Sequence, residues 1–198
     1  MGKSKIFKVI GSLILCSALV PISASATTWT GGRTSGIFTA YYDSSVSQYG
    51  YTSIFDEGKN NWGGISSKVA ITYTSSNTST SDEYYAGYSS IVGRLGYTQP
   101  YKTDSLGLHQ MASTSETWTY CVVSLYDNNI KASKNGSNPD GSLTRAQIVS
   151  SVTTHEIGHS LSLAHSPTGT ASVMTANDIT NFPPNTYDKT DLKSKWGN

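Results

Sequence analysis

HEIGHSLSLAH, residues 155–165, followed by Ser172-Val173-Met174, is the stretch that decides the fold. His155 and His159 are four residues apart, so on a helix their imidazoles stand one turn apart on one face and can share a metal ion. Glu156, next to the first histidine, is placed to hold a water beside that metal rather than to bind it. His165 follows too far on to share that helix face, so the chain must turn back after His159. Ile148 and Val152 lie on the face that continues to the two histidines, while Val149, Ile157 and Leu161 form a second apolar stripe. Such a helix is buried on two sides. Thr144 with Gln147 forms a capping box at its start, and Leu143 with Ile148 fits the hydrophobic staple around it.

Upstream of this helix, 117–125 (TWTYCVVSL) is apolar on both faces toward its end and reads as a central strand. Residues 127–141, with Asn135-Gly136 and Pro139-Asp140-Gly141, read as a turn-rich connection. Residues 100–115 read as a long irregular loop, and 84–88 and 95–98 as weaker strands interrupted by glycine. Nearer the start, 37–42 (IFTAYY) and 69–73 (VAITY) are rich in β-branched and aromatic residues and predict strands. Asp43-Ser44-Ser45 reads as a turn, and 75–81 as a solvated Ser/Thr loop. Tyr51, Ile54, Phe55, Gly58 and Trp62 form one stripe of an amphipathic helix that leaves Asp56, Glu57, Lys59 and Asn60 outside and stops at Gly63-Gly64. Past His165 the chain is irregular, with Pro167, Gly169 and Pro183-Pro184. It ends in a short helix with Asp188 at its N-cap, Leu192 and Trp196 one turn apart, and Gly197 as its stop. The order predicts a mixed sheet with helices packed on it.

The 198 residues suit one domain with a sizeable core. Residues 1–26 read as a signal peptide: a basic start with Lys3, Lys5 and Lys8, an apolar run over 9–20, Pro21, and the cleavage pattern Ala24-Ser25-Ala26. The run is too short to span a membrane, so a secreted, extracellular domain over 27–198 is expected, free of the membrane and monomeric. Cleavage leaves 11 basic against 13 acidic side chains, a net charge of about −2, which favours neither nucleic acid nor an anionic membrane as partner. Only Cys121 remains, so no internal disulfide can form and stability must come from the core and bound metal.

Three neutral imidazoles with no evident fourth protein ligand leave tetrahedral zinc one open position, the arrangement of a catalytic site. Zinc there lowers the pKa of its bound water from about 15.7 toward about 7 and polarises a carbonyl. Glu156 then takes the water's proton and returns it to the leaving amine. A protein or peptide is the substrate this chemistry implies.

HEIGHSLSLAH with the downstream methionine resembles the zinc-binding consensus HExxHxxGxxH and Met-turn of the metzincin metallopeptidases, and Ser166 after the third histidine is similar to the matrixins. The resemblance implies an α+β, zincin-like fold: a twisted, mostly parallel five-stranded sheet with an antiparallel edge strand above a cleft. It further implies an irregular C-terminal subdomain ending in a short helix, zinc on His155, His159 and His165, Met174 beneath it, and endopeptidase activity assisted by Glu156. Residues 176–187 would wall the pocket for the residue after the scissile bond.

Several residues depart from that pattern. Ser162 stands where it has glycine, at the turn that must deliver His165. A left-handed backbone there costs serine about 1–2 kcal/mol, which zinc binding, on the order of 10 kcal/mol, outweighs. His109 reads as a loop residue, so a second, structural zinc site is not expected. Cys121 reads as a small buried hydrophobe, out of place to cap zinc. Asp104, Asp127 and Asp140 fall in loops where matrixins hold calcium but form no calcium loop of EF-hand type, which leaves calcium open. Thr175 and Ala176 follow Met174, so the tyrosine that is a fifth ligand in some metzincins is missing. Two other uses of the residues stay open: a non-catalytic exported module stabilised by zinc, which Glu156 argues against, and an amidase acting on cell-wall peptide.

Overall fold

A computed structural model describes residues 27–133, 143–180 and 182–198; the expected signal peptide and Asp140 lie outside them. Strand β1 (Gly36–Tyr42) leads into helix α1 (Ser44–Gln48), α2 (Thr52–Trp62), β2 (Val69–Thr74), β3 (Asp82–Gly87), β4 (Gly96–Thr103), β5 (His109–Met111) and β6 (Tyr120–Tyr126). Helices α3 (Asp127–Ser133), α4 (Arg145–Ser160) and α5 (Thr186–Trp196) follow. The sheet has the order β2-β1-β3-β6-β4-β5. Its β2, β1, β3 and β6 run parallel, and β4 and β5 join antiparallel. The mixed sheet with helices against it is as expected, but the described strands number six rather than five.

The sixth strand comes from 100–115, read from sequence as a loop. Proline supplies no ladder N–H and is uncommon inside a sheet. The strand runs through it: Pro100 sits opposite Cys121 and turns its carbonyl the other way, accepting from Ala112 N (2.9 Å), while Gln99 Nε2 donates to the Ala112 carbonyl (3.2 Å) in place of the missing proline N–H. A tight turn at Asp104, whose Oδ1 accepts from Leu106 N and Leu108 N (2.9 Å each), returns the chain as β5. Three other expectations also fail. Asp43 does not make a simple turn but caps α1, accepting from Ser45 N (2.8 Å). Residues 127–133 form a helix rather than a turn-rich connection. Asn185, not Asp188, is the N-cap of α5, and Asp188 closes the capping box from the third helical position.

Trp62 and Phe55 on the predicted stripe of α2 are fully buried. Gly58 lets α2 approach α4 closely, since a Cβ there would meet Thr153 Cγ2 at 2.7 Å and Ile157 Cδ1 at 3.0 Å. Trp62 Nε1 donates to the Thr154 carbonyl (2.9 Å), and Ser150 Oγ to Glu57 Oε2 (2.8 Å). Lys59, expected outside the stripe, is buried: its stem lies along the core and its Nζ sits 4.8 Å over the Tyr42 ring and 3.1 Å from Asp56. Helix α4 is thereby fixed between α2 and the sheet, with Ile148, Ile157 and Leu161 wholly buried. No helix among the described residues is long and apolar enough to cross a membrane.

Candidate metal centre

Helix α4 begins with the expected capping box, Thr144 Oγ1 accepting from Gln147 N and Gln147 Oε1 from Thr144 N (2.8 Å). It ends in a Schellman turn: Ser162 N donates to His159 O (2.9 Å) and Leu163 N to Gly158 O (3.1 Å). Ser162 holds the left-handed position with φ 69°, the conformation that the glycine of the resembling pattern suggested for this turn. Its buried Oγ accepts from Arg33 N (3.2 Å), a contact that glycine could not make. The leader before β1 straps this turn from outside, with Trp29 N on Ser162 O (3.0 Å) and Ala164 N on Thr27 O (2.9 Å).

The turn brings the three histidines together, one ligand nitrogen of each lying within 4.8 Å of the others. His155 Nδ1 is 2.7 Å from the Val173 carbonyl and His159 Nδ1 is 2.8 Å from the Leu163 carbonyl. A carbonyl can only accept, so both Nδ1 atoms carry protons and both Nε2 atoms present lone pairs. His165 Nε2 lies 3.2 Å from each of them and can donate to one at most. One contact therefore sets lone pair against lone pair, a conflict that a cation among the three removes. Zinc fits the spacing, since bonds of about 2.0–2.1 Å at tetrahedral angles separate ligand atoms by about 3.3 Å. Burial, with the charge of His165 added, pushes His155 down to about 4. Burial likewise lowers His159, well below its ordinary value, and His165. Each shift favours the neutral imidazole that metal ligation demands.

Two groups stiffen the ligands. The Trp29 indole stacks on the His159 ring (centroids 4.9 Å apart, planes at 7°). On the other side, Asp188 accepts from Ser172 Oγ, from Val173 N (3.2 Å) and from Asn185 N (2.9 Å). It thereby fastens to α5 the turn whose Val173 carbonyl orients His155. Met174, buried in that turn, lies under α4 where only a glycine fits: a Cβ on Gly158 would be 2.4 Å from Met174 Sδ and 2.9 Å from Trp62.

Glu156 lies in the same cleft, of about 870 Å³, which α4 shares with β4 and its preceding loop on one side and residues 175–179 on the other. Thr98 Oγ1 lies 2.7 Å from Glu156 Oε2 and 2.8 Å from the Glu156 carbonyl, either of which can accept its proton. Burial pushes the Glu156 carboxyl up to about 7, against the hydrogen bond from Thr98 and the charge of Arg94. Gly96 allows the approach, for a Cβ there would sit 2.7 Å from Glu156 Cγ and 2.8 Å from Oε1. The arrangement sets a carboxyl group beside three imidazoles that could hold a metal ion, all lining one open cleft.

No family model and no curated protein matches this chain. Among solved structures, one described as the GM1 bound form of the ECX AB5 holotoxin is 15% identical, covering 84% of this chain and 81% of that one with a TM-score of 0.47. A likeness that slight supports no reading of the site. Membership in the metzincin family, expected from residues 155–174, is corrected: no family model and no curated protein supports it, and the solved structure named above is that of a toxin. The site stands on its own geometry.

The structure assembles every residue singled out for the site, namely His155, Glu156, His159, His165 and Met174, and the wall expected over 176–187 reaches the cleft through its first four residues. His109 is apart from them, exposed on β5 with its ring edge-on to Tyr120 at 5.3 Å. Cys121 is a buried free thiol, as read. Asp127 does not sit in a loop as a calcium ligand but starts α3, its carboxylate bonded to Tyr51, Arg145 and Lys131. Sequence reasoning missed Trp29, Arg94, Gly96, Thr98 and the role of Asp188. Nothing local marks them, since each acts through a contact distant in sequence.

Proposed function

We propose that the chain is a zinc-dependent endopeptidase, exported by way of residues 1–26, that hydrolyses peptide bonds in protein or peptide substrates. The observation that carries this reading is the convergence of three Nε2 atoms, two with fixed tautomers, beside a buried carboxylate in an open cleft. His155, His159 and His165 hold the zinc. When bound, it supplies Lewis acidity, polarising the scissile carbonyl and acidifying water in the site toward a pKa of about 7. The carboxylate of Glu156 accepts the proton of the attacking water and delivers it to the departing amine. Thr98 holds one carboxylate oxygen and leaves the other to face the reacting atoms. Glu156 would be held in its ionised form by a cation on the three histidines, against the burial that raises its pKa.

The test is cleavage of a peptide library by the purified protein beside Glu156→Ala, with zinc measured on both. Zinc retained in both proteins and a rate loss on the order of 10²–10⁴ in the variant is the expected outcome. Equal rates, or no cleavage by either protein, would contradict the proposal, the latter favouring a zinc-stabilised binding module.

A further inference from the structure

Among the described residues that line the cleft, Arg94 is the one lysine or arginine. Its position is built rather than incidental. Asn129 Nδ2 donates to the carbonyls of both Ile91 and Arg94 (2.8 Å each), Asn128 and Ser89 exchange two hydrogen bonds of 3.0 Å, and Tyr126 N holds Leu95 O (2.8 Å). The loop between β3 and β4 is thus pinned to α3 at both ends. The guanidinium lies 4.9 Å from the centre of the Tyr97 ring, which restricts its rotamers without consuming its hydrogen-bond donors. Five ion pairs connect other basic residues to carboxylates, and among the described residues none engages Arg94. Asp178, which also lines the cleft, is bonded by Thr180 N and Oγ1 (2.8 and 2.6 Å). Arg94 lines the same cleft as Glu156 and the three histidines.

A half-buried arginine with fixed backbone, a stacked side chain and open donors is pre-organised for a planar anion, and the anion of that shape in a peptide is a carboxylate. We propose that Arg94 is a specificity-determining residue that selects substrates carrying a carboxylate close to the scissile bond. The inference rests on the reading of the cleft as a peptidase site. It goes beyond it by naming the class of substrate: an acidic side chain, or the free C-terminus of a short peptide, is favoured, and a basic side chain at that position is repelled.

The test uses one peptide frame in which each residue flanking the cleaved bond is Glu, Gln or Lys in turn, each made with a free and an amidated C-terminus. Two readouts are taken: kcat/KM for the zinc-loaded protein, and the affinity of the zinc-loaded Glu156→Ala protein, which needs no turnover. At one flanking position the Glu peptide, or at the C-terminus the free acid, is favoured over its neutral counterpart by roughly ten- to hundred-fold, as for hydrogen bonds to charged groups. Arg94→Gln removes that ratio, Arg94→Lys keeps part of it, and Arg94→Glu reverses it toward Lys. Ratios within one variant are insensitive to how much of it is folded. Equal ratios across the Arg94 variants, or no carboxylate preference in the parent protein, overturn the inference while peptide cleavage itself stands. Arg94-dependent affinity for acidic peptides without cleavage sustains the inference and removes the peptidase reading.

Discussion

Ser162 sets two opposed effects on one residue, and substitution separates them. Its φ of 69° costs a side chain about 1–2 kcal/mol relative to glycine. Its hydroxyl accepts from the Arg33 amide at 3.2 Å, in a place where serine is fully buried and arginine nearly so. Losing that acceptor leaves a buried donor unmet, at a cost of about 1–3 kcal/mol. Ser162→Ala keeps the strain and loses the acceptor, so it is expected to destabilise by about 1–3 kcal/mol. Ser162→Gly also loses the acceptor but relieves the strain, and is expected within about 1 kcal/mol of the parent. The difference between the two variants then measures the strain alone. The assay is denaturant unfolding with chelator present, because zinc binding on the order of 10 kcal/mol would mask effects of this size. A Ser162→Gly protein more stable than the parent by the full strain energy, or a Ser162→Ala protein equal to it, would show that the hydroxyl contributes nothing and refute the reasoning.

Other substitutions probe the surroundings of the metal. Gly96→Ala places a methyl where Glu156 Cγ and Oε1 would be 2.7 and 2.8 Å away, so the carboxylate must shift; activity should fall on the order of 10²-fold with zinc content unchanged, as metal analysis and peptide kinetics on one sample will show. Asp188→Asn loosens the turn that orients His155 and is expected to weaken zinc binding about 10–100-fold, read by competition with a chromogenic chelator. Away from the site, burial pushes the Asp127 carboxyl up, but hydrogen bonds from Lys131 and Tyr51 and the charges of Lys131 and Arg145 outweigh it and hold it below the ordinary range. A carboxyl lowered on folding contributes stability that is fully present above the unfolded-state value of about 3.9 and is lost as pH falls through the lower folded-state value. In chelated protein, Asp127→Asn should flatten the acid limb of the stability profile in that window; an unchanged slope would speak against the hub.

The metal site was legible because its residues lie within one helix and the turn after it, where spacing translates directly into geometry. His155, Glu156 and His159 need only the helical repeat to meet, and the capping box at Thr144 marks where that repeat starts. Ser162 could be singled out because the pattern it resembles has glycine there, at the turn that must deliver His165, and its backbone is indeed left-handed. Contacts across the sheet left no such trace. Thr98 reaches Glu156 only because β4 lies antiparallel beside β6 and against α4, and Trp29 reaches His159 only because the leader folds back on the turn. The extent of β4 was misjudged because proline lacks the N–H of a strand residue, but here the Gln99 side chain donates to the Ala112 carbonyl in its place. Asp188 was legible as a helix start and misplaced within it, since Asn185 offers the same chemistry three residues earlier. Family membership was the step that failed: the resemblance was specific only over residues 155–174, and the chain matches no family model.

The central claim is that His155, His159 and His165 bind one zinc ion, and X-ray absorption at the zinc edge tests it most directly when run on the parent protein and on His165→Ala. One tightly held zinc per chain, with imidazole nitrogens at about 2.0–2.1 Å and one imidazole fewer in the variant, is the predicted result. A parent protein that retains no zinc after dialysis, or an unchanged nitrogen shell in His165→Ala, would contradict it.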